Sequence, residues 1–324
     1  MKLKQVLLHA SVIVAALWTL GAPAVDFPSK PVRIVVPYAP GGTSDIVARV
    51  IAAKLAEHLQ KPVVVENRGG GGGSIGTEAV VRSEADGHTL LFHSGAIAID
   101  PSSNKKLSYN VQRDLTPVMQ AVVGPFAILV HPSVPARSVA ELIAYAKANP
   151  GRLNFGTPGN GTSIHLATEY FKAMAGIDVV HVPYKGAGPA LAALTANDIQ
   201  FVLDPLVTAK QYAASGKVRA LAVTTSERWA PWPELPTVAA SGLPGYDTSV
   251  WYAFFAPAGV PASIVSKLNA ELRSVLTTPE MREWLRTTGG LDVVASSPEE
   301  LKTLFAVEIE RWANIIRTAH IKMD

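Results

Sequence analysis

The chain has 324 residues, of which 48% are hydrophobic and 17% charged, enough apolar material for one large core or two moderate ones. Its formal net charge is only +3, which argues against a nucleic-acid-binding protein, since such proteins carry a clustered basic face. The absence of cysteine excludes disulfides and thiolate metal sites, and it suits an oxidising compartment.

The first 24 residues have the pattern of a secretory signal peptide. Lys2 and Lys4 supply a positive end, residues 6–20 are mostly apolar, and Ala22 and Ala24 are the small residues that a signal peptidase needs. We predict cleavage after Ala24 and export of the mature chain. The alternative is an uncleaved membrane anchor, although the apolar stretch is short for a bilayer span.

Residues 35–45, VVPYAPGGTSD, predict a strand, a tight turn and the start of a helix. The first N–H groups of a helix have no partner inside it, point outward and attract anions. We therefore expect a carboxylate to be held here by backbone N–H groups and by the hydroxyls of Thr43 and Ser44. The alternative is an ordinary turn, in which the glycines only make the bend and Asp45 satisfies the first helical turn.

Two further strands are predicted at residues 62–66 and 89–93, with helices between them, so this part of the chain forms a parallel βαβαβ sheet. In the glycine run between them, Gly71, Gly73 and Gly76 match the dinucleotide-binding pattern G-x-G-x-x-G. We reject a dinucleotide site because the pattern follows the second strand rather than the first, and no ribose-binding acid follows the third. A flexible turn lining a cleft explains these glycines, and we expect no cofactor.

The pattern restarts near residue 101. Strands are predicted at residues 126–131 and 153–156, and the helix between them begins in a capping box at residues 138–141. Residues 157–163, TPGNGTS, then lead into a helix with one apolar face, so this segment repeats the first loop in kind. Two such helix N-termini, one in each half of the chain, are more informative than either alone.

The last third of the chain returns to the first domain. Further strands are predicted at residues 179–182, 199–203, 218–224 and 251–256, and helices at residues 261–276 and 297–317. The chain therefore predicts an α/β fold of two lobes, each a mostly parallel sheet flanked by helices, with a ligand cleft between them. We assign residues 25–100 and 225–324 to the first lobe and residues 101–224 to the second, with hinges near Asp100 and Thr224.

The chain resembles a known family in four segments: PVRIVVPYAPGGTSDIVAR, VVVENRGGGGGSIGTEAV, HVPYKGAGPALAALTANDIQF and LAVTTSERWAPWPELPTVAASGLPGY. The family is that of the solute-binding proteins of tripartite tricarboxylate transporters, the Bug (Bordetella uptake gene) family. The resemblance implies a periplasmic receptor with a two-lobed, type II-like periplasmic binding protein fold. Such a receptor captures a small organic carboxylate and delivers it to membrane transporter subunits; we expect a monomer.

The resemblance also places the family's carboxylate-binding positions on the two loops and on the end of the third strand. These positions are Tyr38, Ala39, Gly41, Gly42 and Thr43 in the first lobe, Ser94 and Ala96 at the cleft floor, and Gly161, Thr162 and Ser163 in the second lobe. Asp204 is the eleventh candidate, at a position where the family usually has Asp followed by Asn. In this chain Pro205 replaces that Asn.

Two enzyme motifs are absent, since the chain has no Walker sequence and no H-E-x-x-H sequence. His165 and Glu169, four residues apart on a predicted helix, have no third metal ligand nearby, so we predict no metal site. Two classes of function therefore remain open besides a sensory role upstream of a membrane kinase. One is a non-catalytic receptor, and the other is a secreted α/β enzyme in which Ser163, His165 and Asp204 converge.

The sequence does not identify the acid that is bound. Several aromatic residues could contact an aromatic acid such as a nicotinate or a benzoate, and core packing explains them equally well. These residues are Tyr38, Phe92, Phe126, Tyr184 and Trp251.

Overall fold

The computed structural model describes residues 27–103, 107–319 and 321. The predicted signal peptide lies outside the described residues. Within them, no helix combines the length and the apolar character needed to cross a bilayer.

The described residues form ten strands and eleven α-helices. The strands are β1 (Val32–Val36), β2 (Val63–Asn67), β3 (Thr89–Ser94), β4 (Leu115–Val130), β5 (Asn154–Thr157), β6 (Val180–Pro183), β7 (Phe201–Pro205), β8 (Arg219–Val223), β9 (Ser249–Pro257) and β10 (Asp292–Val293). The helices are α1 (Thr43–Leu59), α2 (Ser74–Val81), α3 (Asp100–Ser103), α4 (Val111–Asp114), α5 (Val139–Ala148), α6 (Ser163–Ala175), α7 (Ala187–Thr195), α8 (Leu206–Ala214), α9 (Ala262–Leu276), α10 (Pro279–Thr287) and α11 (Pro298–Thr318).

One path of hydrogen-bonded strands runs through both lobes in the order β2-β1-β3-β9-β4-β7-β5-β6. In the first lobe β1 pairs in parallel with β2 and β3, while β9 lies antiparallel between β3 and β4. In the second lobe β5 pairs in parallel with β6 and β7, and β4 is antiparallel to β7 and β8. The parallel βαβ units predicted from the sequence are present, and antiparallel strands join them.

Strand β4 is 16 residues long and belongs to both lobes. Residues 115–125 pair with β9 in the first sheet, whereas residues 126–130 pair with β7 and β8 in the second. The first segment was not predicted as a strand because Pro117 and Pro125 interrupt it, and proline is disfavoured inside sheets. The pairing partner of β4 thus changes well after Asp100, so the proposed hinge at that residue stays a prediction.

Thr224 forms hydrogen bonds at both places where the chain passes between the lobes. The N–H of Phe126 donates to Thr224 Oγ1 at 2.9 Å, and the N–H of Thr224 donates to the Phe126 carbonyl at 3.0 Å. The N–H of Thr248 donates to the Thr224 carbonyl at 3.0 Å. Both crossings are therefore fixed against one buried threonine, close to the position where the sequence predicted a hinge.

The helices pack on both sheets and bury one continuous apolar core that extends through both lobes. The capping box predicted at the last helix is confirmed, because Ser297 Oγ accepts from the Glu300 N–H at 3.2 Å and the Glu300 carboxylate accepts from the Ser297 N–H at 2.7 Å. The one predicted at α5 is half formed. There the Glu141 carboxylate accepts from the Arg137 N–H instead, at 2.7 Å.

Candidate functional site

A small cavity, with about 40 Å³ open to the centre of a water-sized sphere, lies between the lobes, where the N-termini of α1 and α6 face each other. Gly42, Thr43 and Ser44 contribute its wall from the first lobe, and Thr162 and Ser163 contribute it from the second. The two loops that the sequence singled out therefore meet at the same cavity.

The N-terminus of α1 has no side-chain cap, since its N-cap residue is Gly42. The hydroxyl of the next residue, Thr43, is buried and has no hydrogen-bond partner of normal geometry among the described residues. The nearby Tyr252 hydroxyl interacts with the hydroxyls of Thr43 and Ser44, and burial keeps that tyrosine protonated by raising its pKa. This helix end consequently presents unsatisfied donors to the cavity.

Gly41 shapes the turn that precedes α1. Its φ of +86° requires glycine, and its N–H donates to Asp45 Oδ2 at 3.0 Å. Burial raises the pKa of Asp45, but hydrogen bonds from Arg49 and from the Gly41 N–H outweigh burial and hold that pKa below its usual range. The Gly41 N–H is thus committed to a charged side chain of its own helix.

The N-terminus of α6 is capped by its own residues. Thr162 Oγ1 accepts from the His165 N–H at 3.3 Å and donates to the Gly159 carbonyl at 2.8 Å. The N–H of Gly161 donates to His165 Nδ1 at 3.2 Å. Burial, with a smaller contribution from His181, lowers the pKa of His165 to about 3, so the ring is neutral and Nδ1 can accept this bond.

A line of hydroxyls crosses between the lobes beside the cavity. Tyr38 Oη and Ser94 Oγ lie 3.0 Å apart, and Ser163 Oγ donates to Ser94 Oγ at 3.3 Å. Tyr38 also lines a second cavity, of about 450 Å³, which residues 70–73 of the glycine run help to line. A Cβ atom at Gly72 would overlap the carbonyl oxygen of Asn160, so glycine allows close approach of the lobes here.

The floor of the first cavity comes from the strands that pass between the lobes. Phe126 of β4 and Pro205 of β7 are register partners, and Val250 of β9 lies beside them. All three are buried. The cavity therefore has polar groups at the helix ends and an apolar floor.

The structure brings seven of the eleven predicted residues to the cavity lining. They are Tyr38, Ala39, Gly42, Thr43, Ser94, Thr162 and Ser163. The other four are Gly41, Ala96, Gly161 and Asp204, which lie outside that lining. The N–H groups of Gly41 and Gly161 are used within their own loops, and the Ala96 N–H contacts Ser94 Oγ at 3.4 Å. A direct role in binding stays a prediction for all eleven.

Asp204 faces away from the cavity because neighbouring residues of a strand point to opposite sides of the sheet. Pro205 lines the floor, whereas the Asp204 carboxyl accepts a hydrogen bond from the Thr208 hydroxyl on α8. Burial raises the pKa of Asp204 to about 8. Asp204 is therefore a protonated, internal group at neutral pH.

Several lining residues had no signal in the sequence that placed them here. Ala187 begins α7, and Tyr252 lies opposite Ser94 across the β3–β9 pair. Their positions depend on the packing of elements far apart in the chain. Of the aromatic candidates, Tyr38 and Phe126 line the cavity, Phe92 is packed in the core, and Trp251 Nε1 donates to Glu308 at 3.3 Å.

The three residues of the enzyme hypothesis do not form a catalytic triad. Ser163 Oγ bonds Ser94, His165 Nδ1 accepts from Gly161, and the Asp204 carboxyl bonds Thr208. In the part of the chain that the structure describes, no group of three or more His, Cys, Asp or Glu side chains is placed to hold a metal ion.

Comparison with known proteins gives consistent matches over most of the chain. A family model described as tripartite tricarboxylate transporter family receptor matches residues 47–321. Protein BugT of Bordetella pertussis is 35% identical over 302 residues, which are 93% of this chain and 92% of BugT.

Two solved structures of relatives contain organic acids. Rpa4515 from R. palustris, solved with adipate, is 36% identical with a TM-score of 0.87, and the match covers 91% of this chain and 98% of that one. MatC from Rhodopseudomonas palustris, solved with bound malate, is 33% identical with a TM-score of 0.84, and the match covers 90% and 100%. At this similarity the fold is that of a two-lobed periplasmic binding protein.

Proposed function

Because the chain belongs to the family of tripartite tricarboxylate transporter receptors, we propose that it is a non-catalytic periplasmic receptor that captures a small organic carboxylate between its lobes. Relatives solved with adipate and malate support a carboxylate as the ligand. The observation that carries the proposal is the uncapped N-terminus of α1, where the buried Thr43 hydroxyl lines the cavity with no hydrogen bond of normal geometry.

A carboxylate at this position satisfies the groups that the protein leaves open. It accepts from the first N–H groups of α1 and from the Thr43 hydroxyl, while Ser163 and Ser94 offer hydroxyls from the opposite side. Hydrogen bonds to a charged group contribute roughly 1.5 to 3 kcal/mol each. After the costs of immobilising the ligand, four or five of them leave about 8 to 11 kcal/mol, which corresponds to micromolar to near-nanomolar binding.

The donors come from both lobes, so only the closed arrangement makes all the contacts. A ligand that binds the closed form better than the open form shifts the population towards closure. The crossings held at Thr224 are a suitable place for that motion. We propose that the closed monomer is the form that the membrane transporter subunits recognise.

The test is a thermal-shift screen of the protein, expressed from its full-length chain, against mono-, di- and tricarboxylates and aromatic acids. A bound acid should raise the unfolding temperature in proportion to the logarithm of its concentration, because it binds only the native state. Chromatography of the mixture should return the acid unchanged. Conversion of the acid would instead support an enzyme, and no response to any carboxylate would contradict the receptor.

A further inference from the structure

The polar groups of the first cavity form one continuous cluster. The Tyr252 hydroxyl interacts with Thr43 and Ser44, Tyr252 lies opposite Ser94 in the sheet, and Ser94 bonds Ser163. These groups hold the one place in the cavity where hydroxyls from both lobes converge. The cluster is therefore suited to a single carboxylate.

The floor of the same cavity offers no hydrogen-bond donor. The N–H and the carbonyl of Phe126 are both used by Thr224. Pro205 has no N–H, and the Val250 side chain is apolar. A polar end of a ligand that reached this floor would lose its water without gaining a partner, which is costly for a neutral group and much more so for a charge.

No cationic side chain compensates for this. Among the described residues that line the cavity there is no lysine, arginine or histidine. The acidic residue beneath the floor, Asp204, faces the other way and bonds Thr208. A second carboxylate on the floor would be a buried charge without a partner, which proteins seldom tolerate.

We infer that the ligand carries a single carboxylate on a compact apolar body, in contrast to the dicarboxylates held by the two relatives. This inference rests on the proposed function and adds the class of acid. The carboxylate lies between the helix ends, and the apolar body contacts Phe126, Pro205 and Val250. The cavity leaves only about 40 Å³ for the centre of a water-sized sphere, which is room for a few water molecules, so the body is a single ring or a short chain.

Isothermal titration calorimetry on the protein expressed from its full-length chain tests this with pairs of acids that differ by one carboxylate. Hexanoate is compared with adipate, and benzoate with terephthalate. The monocarboxylate should bind at least tenfold more tightly in each pair that binds. Equal or tighter binding of the dicarboxylate overturns the inference while the receptor function stands. If no acid of either kind binds, both the inference and the proposed function fail.

Substitutions of residues in the cavity floor test whether the floor sets the preference for a monocarboxylate. Pro205→Asn adds a side-chain amide donor and should reduce the preference for the monocarboxylate at least threefold. The matched control Pro205→Leu adds the same backbone N–H but no side-chain donor, and it should retain the preference. Val250→Thr, which adds a hydroxyl at nearly constant volume, is a second variant in case Pro205→Asn does not fold. An unchanged preference in a folded variant with an added side-chain donor would overturn the assignment of the floor.

Discussion

The N-termini of α1 and α6 have closely similar sequences and differ in how they are hydrogen-bonded. Gly42-Thr43-Ser44 begins one helix and Gly161-Thr162-Ser163 the other. In α6 the threonine is the N-cap and bonds the helix backbone. In α1 the glycine is the N-cap, so the threonine falls one position later and its hydroxyl does not cap the helix.

Relative to its threonine, α1 begins one residue earlier than α6. The threonine side chains of the two helices therefore have different roles. A hydroxyl at the N-cap stabilises its own helix, whereas a hydroxyl at the next position cannot reach the backbone N–H groups and points away from them. The end of α6 is therefore capped by its own threonine. We expect a ligand to gain more hydrogen bonds at the uncapped end of α1.

The largest expected effect on affinity comes from placing a larger side chain at the uncapped N-terminus of α1. Gly42 has φ −87° and ψ 170°, which valine adopts readily, and an added Cβ would make an ordinary contact with Ala187 at 3.5 Å. The methyl groups of Gly42→Val would occupy the space between the lobes. We expect calorimetry to show about a 100-fold loss of affinity for the bound acid, corresponding to about two lost hydrogen bonds.

The unfolding temperature of that variant should stay close to that of the parent, because the backbone conformation is compatible with valine. Gly42→Ala is the matched control, since its single methyl group fits the observed contact and should cost much less affinity. Parental affinity in Gly42→Val would show that the end of α1 does not hold the ligand.

The second prediction, with an effect of intermediate size, compares Thr43 with Thr162. Thr43→Val removes a buried hydroxyl that makes no hydrogen bond of normal geometry, so we expect about a tenfold loss of affinity with little loss of unfolding free energy. Thr162→Val removes a cap and should lower the unfolding free energy by about 1 kcal/mol. Urea unfolding and calorimetry on both variants check this. If Thr43→Val proved less stable than Thr162→Val, the proposed difference between the two helix ends would be wrong.

The last prediction concerns the pH dependence of stability, to which the carboxyl groups of Asp204 and Asp45 should contribute with opposite sign. In Asp204 the native pKa of about 8 lies above its ordinary value of 3.8, so the folded protein keeps a proton that the unfolded chain has lost. Stability should therefore fall as the pH rises from about 4 to about 8. Asp204→Asn lacks this dependence, so its unfolding free energy relative to the parent should rise between pH 5 and pH 8.

Asp45 contributes a pH dependence of stability with the opposite sign, so it serves as the matched comparison. Its native pKa is lowered, so its contribution is present above the ordinary pKa and is lost as the pH falls. Asp45→Asn should be less stable than the parent at neutral pH, and the difference should shrink on acidification. Urea unfolding at several pH values measures both trends, and equal pH dependence in the two variants would contradict the difference between these carboxyl groups.

Much of the fold was readable from the sequence. The periodicity of apolar residues located β1 and β3 and the helix α9 to within a residue or so, because each is a local pattern of a single element. The first part of β4 and the helix α10 were not recognised. In β4, pairing with β9 outweighs the local preference. Helix α10 does carry local signals, namely the N-cap Thr278 and Pro279 at the first helical position.

The sequence by itself determined that two glycine- and hydroxyl-rich turns precede helices, one in each half of the chain, because turn chemistry and helix starts are local. Only the tertiary structure decided which hydroxyl is used by its own helix and which faces the cavity, and that Pro205 lines the floor while Asp204 does not. These outcomes depend on where a helix begins and on which face of a strand meets the other lobe. A change of one residue in either alters the surroundings of a side chain while leaving the sequence pattern the same.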